Sequence, residues 1–217
     1  MTRITQMSDY YRELPGPARD YARWYGDNRL ENTLKWRGVP AIKFPSDMWI
    51  YQELIAEIRP KSIVEFGTKH GGAALFFADM LELLQVDDGL VVTIDTDQQY
   101  YRAPDHRRLC HWSGNSISPQ MNDAVRIFCA AGQGPVLLVE DSEHSYDHVL
   151  AELEMYHDLV TPGSYFVVED GAMGDMVGAI PSGVVRACLT FLREHPEFEV
   201  DWSRNRFGHT SIHGGFL

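Results

Sequence analysis

Four short apolar runs in this chain of 217 residues each end on a carboxylate. Ser62-Ile63-Val64 stops at Glu65, Leu90 to Ile94 at Asp95, Pro135 to Val139 at Glu140 and Asp141, and Ser164 to Val168 at Glu169 and Asp170. Carboxylates brought together repel one another unless they meet hydroxyls, a cation or a metal. Asp141, Glu169 and Asp170 are hard oxygen ligands of the kind Mg²⁺ takes, with waters or substrate hydroxyls completing an octahedron. His144 follows shortly after Asp141. Its ordinary pKa suits it to general-base work on a hydroxyl acidified by such a metal. Without a metal, the same residues read as a helix-start histidine and a solvated loop.

The stretch Glu65-Phe66-Gly67-Thr68-Lys69-His70-Gly71-Gly72 joins an apolar run to a helical pattern, the setting a nucleotide-binding turn requires. Gly67 permits a tight turn, and Gly71 and Gly72 would let a ligand approach the amides of a helix N-terminus. Lys69 stands where the dinucleotide fingerprint has its middle glycine, which disfavours NAD or FAD. Glu65 suits an ammonium group and Asp95 the two hydroxyls of a ribose. Together they describe S-adenosylmethionine (SAM). The plainer alternative is a turn whose glycines serve packing only, and Asp97 reads as a solvated turn residue.

Runs rich in Val and Ile with no polar alternation read as parallel strands buried on both faces. In such sheets ligands bind beyond the carboxyl ends of the strands, which is where the acids stand. Strands are expected at 62–66, 90–95, 109–112, 135–140 and 164–169. Helices are expected from Ser46, as N-cap, to about Ile58, then over 72–84, 119–131, 146–160 and 182–194. Phe198–Trp202 and Thr210–Phe216 read as a final antiparallel hairpin. Residues 1–45 carry Tyr10, Tyr11, Tyr21, Trp24, Tyr25 and Trp36. They read as short helices and an irregular arm of the same domain, packed on the core, a partner subunit or a substrate.

The length suits one domain. A net charge of -12 argues against nucleic acid or an anionic membrane as the main partner. No apolar run approaches the roughly 20 residues that span a bilayer, and Met1 to Tyr11 shows no secretory signal, so a cytoplasmic location is expected. Cys110, Cys129 and Cys188 lack zinc spacing and read as buried core residues in a reducing compartment. His148 and His157 read as surface or capping residues of a helix, and His209 and His213 receive no role.

With these residues in place, the chain resembles the cephalosporin hydroxylase/rhamnosyl O-methyltransferase family, a branch of the class I SAM-dependent methyltransferases. The resemblance runs from about Lys35 to Asp170. It is carried by Trp36-Arg37-Gly38-Val39-Pro40, Lys43-Phe44-Pro45-Ser46-Asp47, Tyr51-Gln52-Glu53, the turn from Val64 to Gly72, Ile94-Asp95, Gly114-Asn115-Ser116, Asp141 to Tyr146, and Val168-Glu169-Asp170. It implies a Rossmann-like α/β sandwich with a mostly parallel seven-stranded sheet over 46–217. It implies SAM held by Glu65, Gly67, Thr68, Gly71, Gly72, Asp95, Gly114, Asn115, Ser116 and Asp141. Many relatives carry Asp where this chain has Asn115. Asp141, Glu169 and Asp170 match the family's ligands for Mg²⁺ or another divalent cation, and His144 matches its base. The implied reaction is O-methylation of a small-molecule hydroxyl, on a sugar or natural product, in a chain that could form a homo-oligomer. An iron triad of two histidines and a carboxylate shows no evident spacing. Two other readings stay open: an NAD(P)-dependent Rossmann oxidoreductase, and a non-catalytic SAM-fold binding protein.

Overall fold

A computed structural model describes residues 16–172 and 182–217; Tyr10 and Tyr11 of the arm lie outside them. At the centre is a parallel sheet of β3 (Ser62–Phe66), β4 (Leu90–Asp95), β5 (Leu109–Ser113), β6 (Val136–Glu140) and β7 (Phe166–Val168), in the order β5-β4-β3-β6-β7. Every residue of β3, β6 and β7 is buried, as the unbroken apolar runs require. The chain steps outward from β3 to β5, then crosses back to place β6 against the other side of β3. That reversal at β3 is the topological switch point, where such sheets open a crevice beyond their carboxyl ends. The register sets Glu65 beside Thr93 and Val139, and Phe66 beside Ile94 and Glu140. Glu65 therefore stands one pairing position behind Glu140 and two behind Asp95 on the neighbouring strands.

Helices cover both faces. α2 (Pro45–Ile58) and α3 (Gly72–Leu83) bury Ile50, Leu54, Phe77 and Leu81 against Ile63, Val91 and Leu137. On the other face α4 (Pro119–Gly132), α5 (Tyr146–Tyr156) and α6 (Gly183–Glu194) bury Val125, Leu153 and Phe191 with Val64, Val92 and Leu138. Each such side chain contributes about 1.5–3 kcal/mol through the apolar area it removes from water. The fold class is the expected one, but the sheet has five strands among the described residues. The expected C-terminal hairpin does not form. Asp201 caps a 3₁₀ turn, Trp202–Asn205, by accepting from Ser203 N–H at 3.0 Å. The last residues instead meet β7 through one antiparallel bridge, Val167 to Phe216.

The arm is more ordered than its sequence suggests. α1 (Gly16–Asp27) is followed by a tight hairpin of β1 (Lys35–Trp36) and β2 (Val39–Pro40). Its turn is made by Arg37 and Gly38, both at positive φ. Trp36 packs edge-on against Phe76, and its indole N–H donates to Asp79 at 2.7 Å. Tyr21, Tyr25 and Phe44 gather around the His209 ring. Tyr25 and Phe44 are thus buried in the core, while Tyr21 and Trp24 remain exposed. Ser46 is not the cap of α2, which starts at Pro45 behind Phe44; its hydroxyl donates to the His209 carbonyl. Cys129 and Cys188 are buried as expected, and Cys110 is exposed.

Asp47, in the first turn of α2, is 1% exposed and accepts from the Ser211 amide at 2.8 Å and its hydroxyl at 2.9 Å. Burial outweighs these bonds and pushes its carboxyl up to about 6. A folded value above the unfolded one favours the protonated fold. Its stabilising contribution is whole below about pH 4 and lost as pH rises through about 6. Asp47→Asn keeps the acceptor and removes the charge. It is expected to flatten the fall in stability between pH 4 and 6, an effect of up to about 3 kcal/mol. Melting temperatures at pH 4.5 and 8 check it; an unchanged pH slope would show that Asp47 does not titrate in this range.

Candidate active site

Two cavities open side by side above the strand tips. The larger, of about 480 Å³, is walled by Lys43, Phe44, Glu65, Thr68, His144 and Asp170, with Arg23 and Glu31 from the arm at its edge. The smaller, of about 350 Å³, is walled by Asp95, Asp97, Tyr100, Gly114, Asn115, Ser116 and His148. Gly67, Lys69, Asp141 and Ser142 border both.

Asp95 ends β4 at the smaller cavity. Its Oδ2 accepts from the amides of Thr68 at 3.1 Å and Lys69 at 2.8 Å, and its Oδ1 from that of Asp97 at 2.9 Å. The carboxylate thus fixes the glycine turn, and Oδ1, with one of its lone pairs used, keeps the other for a ligand hydroxyl. Glu65, 1% exposed, accepts from the Thr93 hydroxyl at 2.5 Å. Burial pushes it up to about 7, against the pull of Lys43. Asn115 Oδ1 accepts from the Ile117 amide at 3.0 Å, closing the loop after β5.

The glycines divide by role. At Gly67, φ +97, an added Cβ would lie 1.8 Å from the Asp141 carbonyl oxygen, because the ends of β3 and β6 touch there. Gly71 and Gly72 do not reach the cavities. Gly72 lets the Pro40 carbonyl settle on the start of α3, and Gly71 faces the Tyr101 ring. Packing, rather than ligand approach, explains both.

Asp141, His144 and Asp170 meet at the floor of the larger cavity. His144 Nε2 lies 2.9 Å from Asp170 Oδ2 and 3.6 Å from Asp141 Oδ1. One ligand atom from each of the three falls within 4.8 Å of the others. Asp170 reaches this point from a left-handed backbone, φ +60, a conformation Asp tolerates better than most residues. Burial would lower the His144 pKa, but the facing carboxylates outweigh it and hold the imidazole up at about 11. Burial would likewise raise Asp141, yet the charges of Lys43 and His144 hold it below the usual carboxylate range.

Glu169 does not join this cluster. It is 2% exposed and meets other partners than Asp170, whose left-handed backbone just past the end of β7 turns the chain. Its Oε1 accepts from the Tyr51 hydroxyl at 2.5 Å and pairs with Lys43 Nζ at 2.8 Å. Lys43, itself 2% exposed, also bonds Asp141 Oδ2. Burial would lower its pKa, but Asp141, Glu169 and Glu65 together keep it well above the ordinary lysine value. Sequence reasoning does not find Lys43 as a site residue, since one lysine between Ile42 and Phe44 has no spacing signal.

His148 is also placed otherwise than expected. It faces inward to the smaller cavity, its Nε2 3.2 Å from both Ser116 Oγ and Glu152 Oε1. Glu152 and Glu140 are fully buried and both accept from the Ser142 hydroxyl at 3.0 Å. Burial, then the charge of Glu152, push the Glu140 carboxyl well above the usual carboxylate range. This polar chain supports Ser142 and Ser116, the residues flanking the smaller cavity.

The fold is that of a methyltransferase. An apo structure of CmcI aligns over 99% of this chain and 88% of its own at a TM-score of 0.68 and 20% identity. The SAM complex of the O-methyltransferase TomG from Streptomyces achromogenes aligns over 90% and 88% at 0.52 and 14%. In sequence, a rhamnosyl O-methyltransferase of Mycobacterium leprae is 34% identical over all of this chain and 99% of its own length. One from Mycobacterium tuberculosis H37Rv is 31% identical over 96% and 87%. The model of the family described as Rhamnosyl O-methyltransferase/CmcI matches residues 28–217. The chain belongs to that family and is a SAM-dependent O-methyltransferase.

Proposed function

We propose that the chain methylates a sugar hydroxyl of a small-molecule glycoside and that a divalent cation, Mg²⁺ by its ligand chemistry, assists it. The observation that carries this reading is the convergence of Asp141, His144 and Asp170 at the floor of the larger cavity, where Asp141 also borders the smaller one. Rhamnosyl O-methylation, the activity for which these relatives are named, supports a sugar acceptor, and a CmcI structure with Mg and SAM shares the fold.

Two carboxylates facing an open cavity form an oxygen donor set that fits a cation keeping several water or substrate ligands, with the imidazole beside it left uncoordinated. Asp141 and Asp170 would hold it, while Lys43 fixes Asp141 from behind and retains Glu169. Asp95, Asn115 and Ser116 would hold the adenosine portion of SAM in the smaller cavity, with Glu65 and Thr68 toward its amino-acid end. When bound, the cation supplies charge that acidifies a hydroxyl and draws the carboxylates off His144, and SAM supplies the methyl group. His144 Nε2, the atom now facing both carboxylates, receives the hydroxyl proton. Phe44, Ile42 and Ala41 give the larger cavity an apolar side, and much of the rate gain then comes from positioning. A cytoplasmic location accords with three cysteines that form no disulfide.

The test uses rhamnosylated and other glycosidic acceptors with SAM, before and after chelation. Chelation is expected to suppress methyl transfer and Mg²⁺ to restore it. Asp170→Asn should lose that stimulation while SAM still raises its melting temperature. Metal-independent turnover would remove the cation from the reading, and stabilisation by NAD rather than SAM would remove the donor.

A further inference from the structure

We propose that Glu154, His157 and His195 form a second metal site, suited to Zn²⁺, at the end of the molecule opposite the strand tips. α5 and α6 each begin at the carboxyl edge of the sheet, and their starts touch. An added Cβ at Gly183 would lie 2.8 Å from the His144 carbonyl oxygen and from the Tyr146 amide nitrogen. Both helices then run back along the sheet, packed side by side. Their far ends bring Glu154 and His157, one turn apart, to His195, which caps α6. One ligand atom from each of the three lies within 4.8 Å of the others.

The arrangement around His195 is that of a metal ligand with its outer support. Its Nε2 faces Glu154 Oε2 at 3.1 Å, and its Nδ1 faces Glu197 Oε1 at 3.1 Å. A metal-bound histidine commonly gives its other ring N–H to a carboxylate, which fixes the tautomer and the ring plane. Here Glu197 takes that part, and Nε2 is left to share a cation with Glu154. The backbone N–H of His195 donates to the Phe191 carbonyl at 2.9 Å, and its ring stacks on Phe191 at 4.3 Å. The His157 ring lies 4.2 Å from that of His195.

Two imidazoles and one carboxylate select Zn²⁺ over Mg²⁺ or Ca²⁺, which prefer oxygen ligands. Zn²⁺ bonds of about 2.0–2.2 Å ask the three groups to close by small rotations, and Glu154 is exposed and free to make them. His157 and Glu197 border a surface hollow, so water can reach a fourth position. The ion would pin the trailing ends of α5 and α6 together. Neither helix end takes part in the proposed methyl transfer.

Metal-free full-length protein, titrated with Zn²⁺ against a chromophoric chelator, tests the proposal. The wild type and Asp170→Asn are expected to bind one Zn²⁺ that His157→Asn loses. Glu197→Gln should weaken that binding about 10–100-fold, the usual cost of an outer-sphere partner. Zn²⁺ should raise the melting temperature of the wild type and Asp170→Asn, but not of His157→Asn. Circular dichroism establishes that His157→Asn is folded; should it not be, Glu154→Gln at an exposed position replaces it, with the same loss expected. Equal Zn²⁺ affinity in His157→Asn and the wild type, no Zn²⁺ binding by the wild type, or loss of Zn²⁺ in Asp170→Asn alone would each overturn the site. These readouts do not depend on methyl transfer, so failure of the proposed function leaves this test intact.

Discussion

Alanine at position 144 is expected to lower kcat for methyl transfer about 10²–10⁴-fold, the usual cost of losing a positioned general base, with SAM affinity unchanged. His144 borders the larger cavity only, whereas the residues proposed for adenosine border the smaller one. Its imidazole is held between Asp141 and Asp170, so truncation removes the proton acceptor and leaves both carboxylates in place. Steady-state kinetics at saturating Mg²⁺ and SAM, beside SAM titration by calorimetry, separate the two effects. Turnover within the normal range would remove His144 from the proton transfer; parallel loss of SAM binding would recast it as a structural residue.

The largest expected effect on stability is that of Lys43→Met. Its ammonium serves two carboxylates, Asp141 and Glu169, from a position 2% exposed to solvent. Methionine fills a similar volume but leaves those acids without their cation. Breaking a buried pair from one side typically costs about 3–5 kcal/mol, or some 10 °C or more in a domain of this size. Mg²⁺ at the Asp141 and Asp170 carboxylates would replace part of the lost charge. Thermal melts with and without MgCl₂ should therefore show a larger metal-induced gain in the variant than in the wild type. A variant as stable as the wild type would show that Glu169 is held neutral without help from Lys43.

How far the site was readable from sequence follows from how local each signal is. β3 and β6 announce themselves because burial on both faces leaves runs such as Val136-Leu137-Leu138-Val139 with no polar position. The acids then mark the strand ends, and the parallel register sets Glu65 and Asp95 near one another. The direction of each acid is another matter. Asp170 and Glu169 are neighbours in sequence yet face different partners, because one adopts a left-handed backbone and the other is captured by Tyr51 and Lys43. Those partners come from α2 and the arm, and no spacing rule links them to β7. His148 is similar: its place on α5 says helix, but only the packed fold turns it to Ser116. The C-terminal segment misleads for a local reason. Phe198–Trp202 has strand-like composition, yet Asp201 caps a helical turn directly after it.

The contact between the tips of β3 and β6 also limits what mutation can do. At position 67 the obstacle to a side chain is the Asp141 carbonyl, which is backbone and belongs to a residue whose own carboxylate faces His144. At position 71 the obstacles are the Tyr101 ring, the Ala103 Cβ and a left-handed backbone, φ +79, none of which belongs to a strand tip. Drift at 67 has to move a strand end and, with it, the carboxylate that faces His144. The alphabet available at position 67 is a single letter, and the reason for it lies on the other side of the wall between the two cavities.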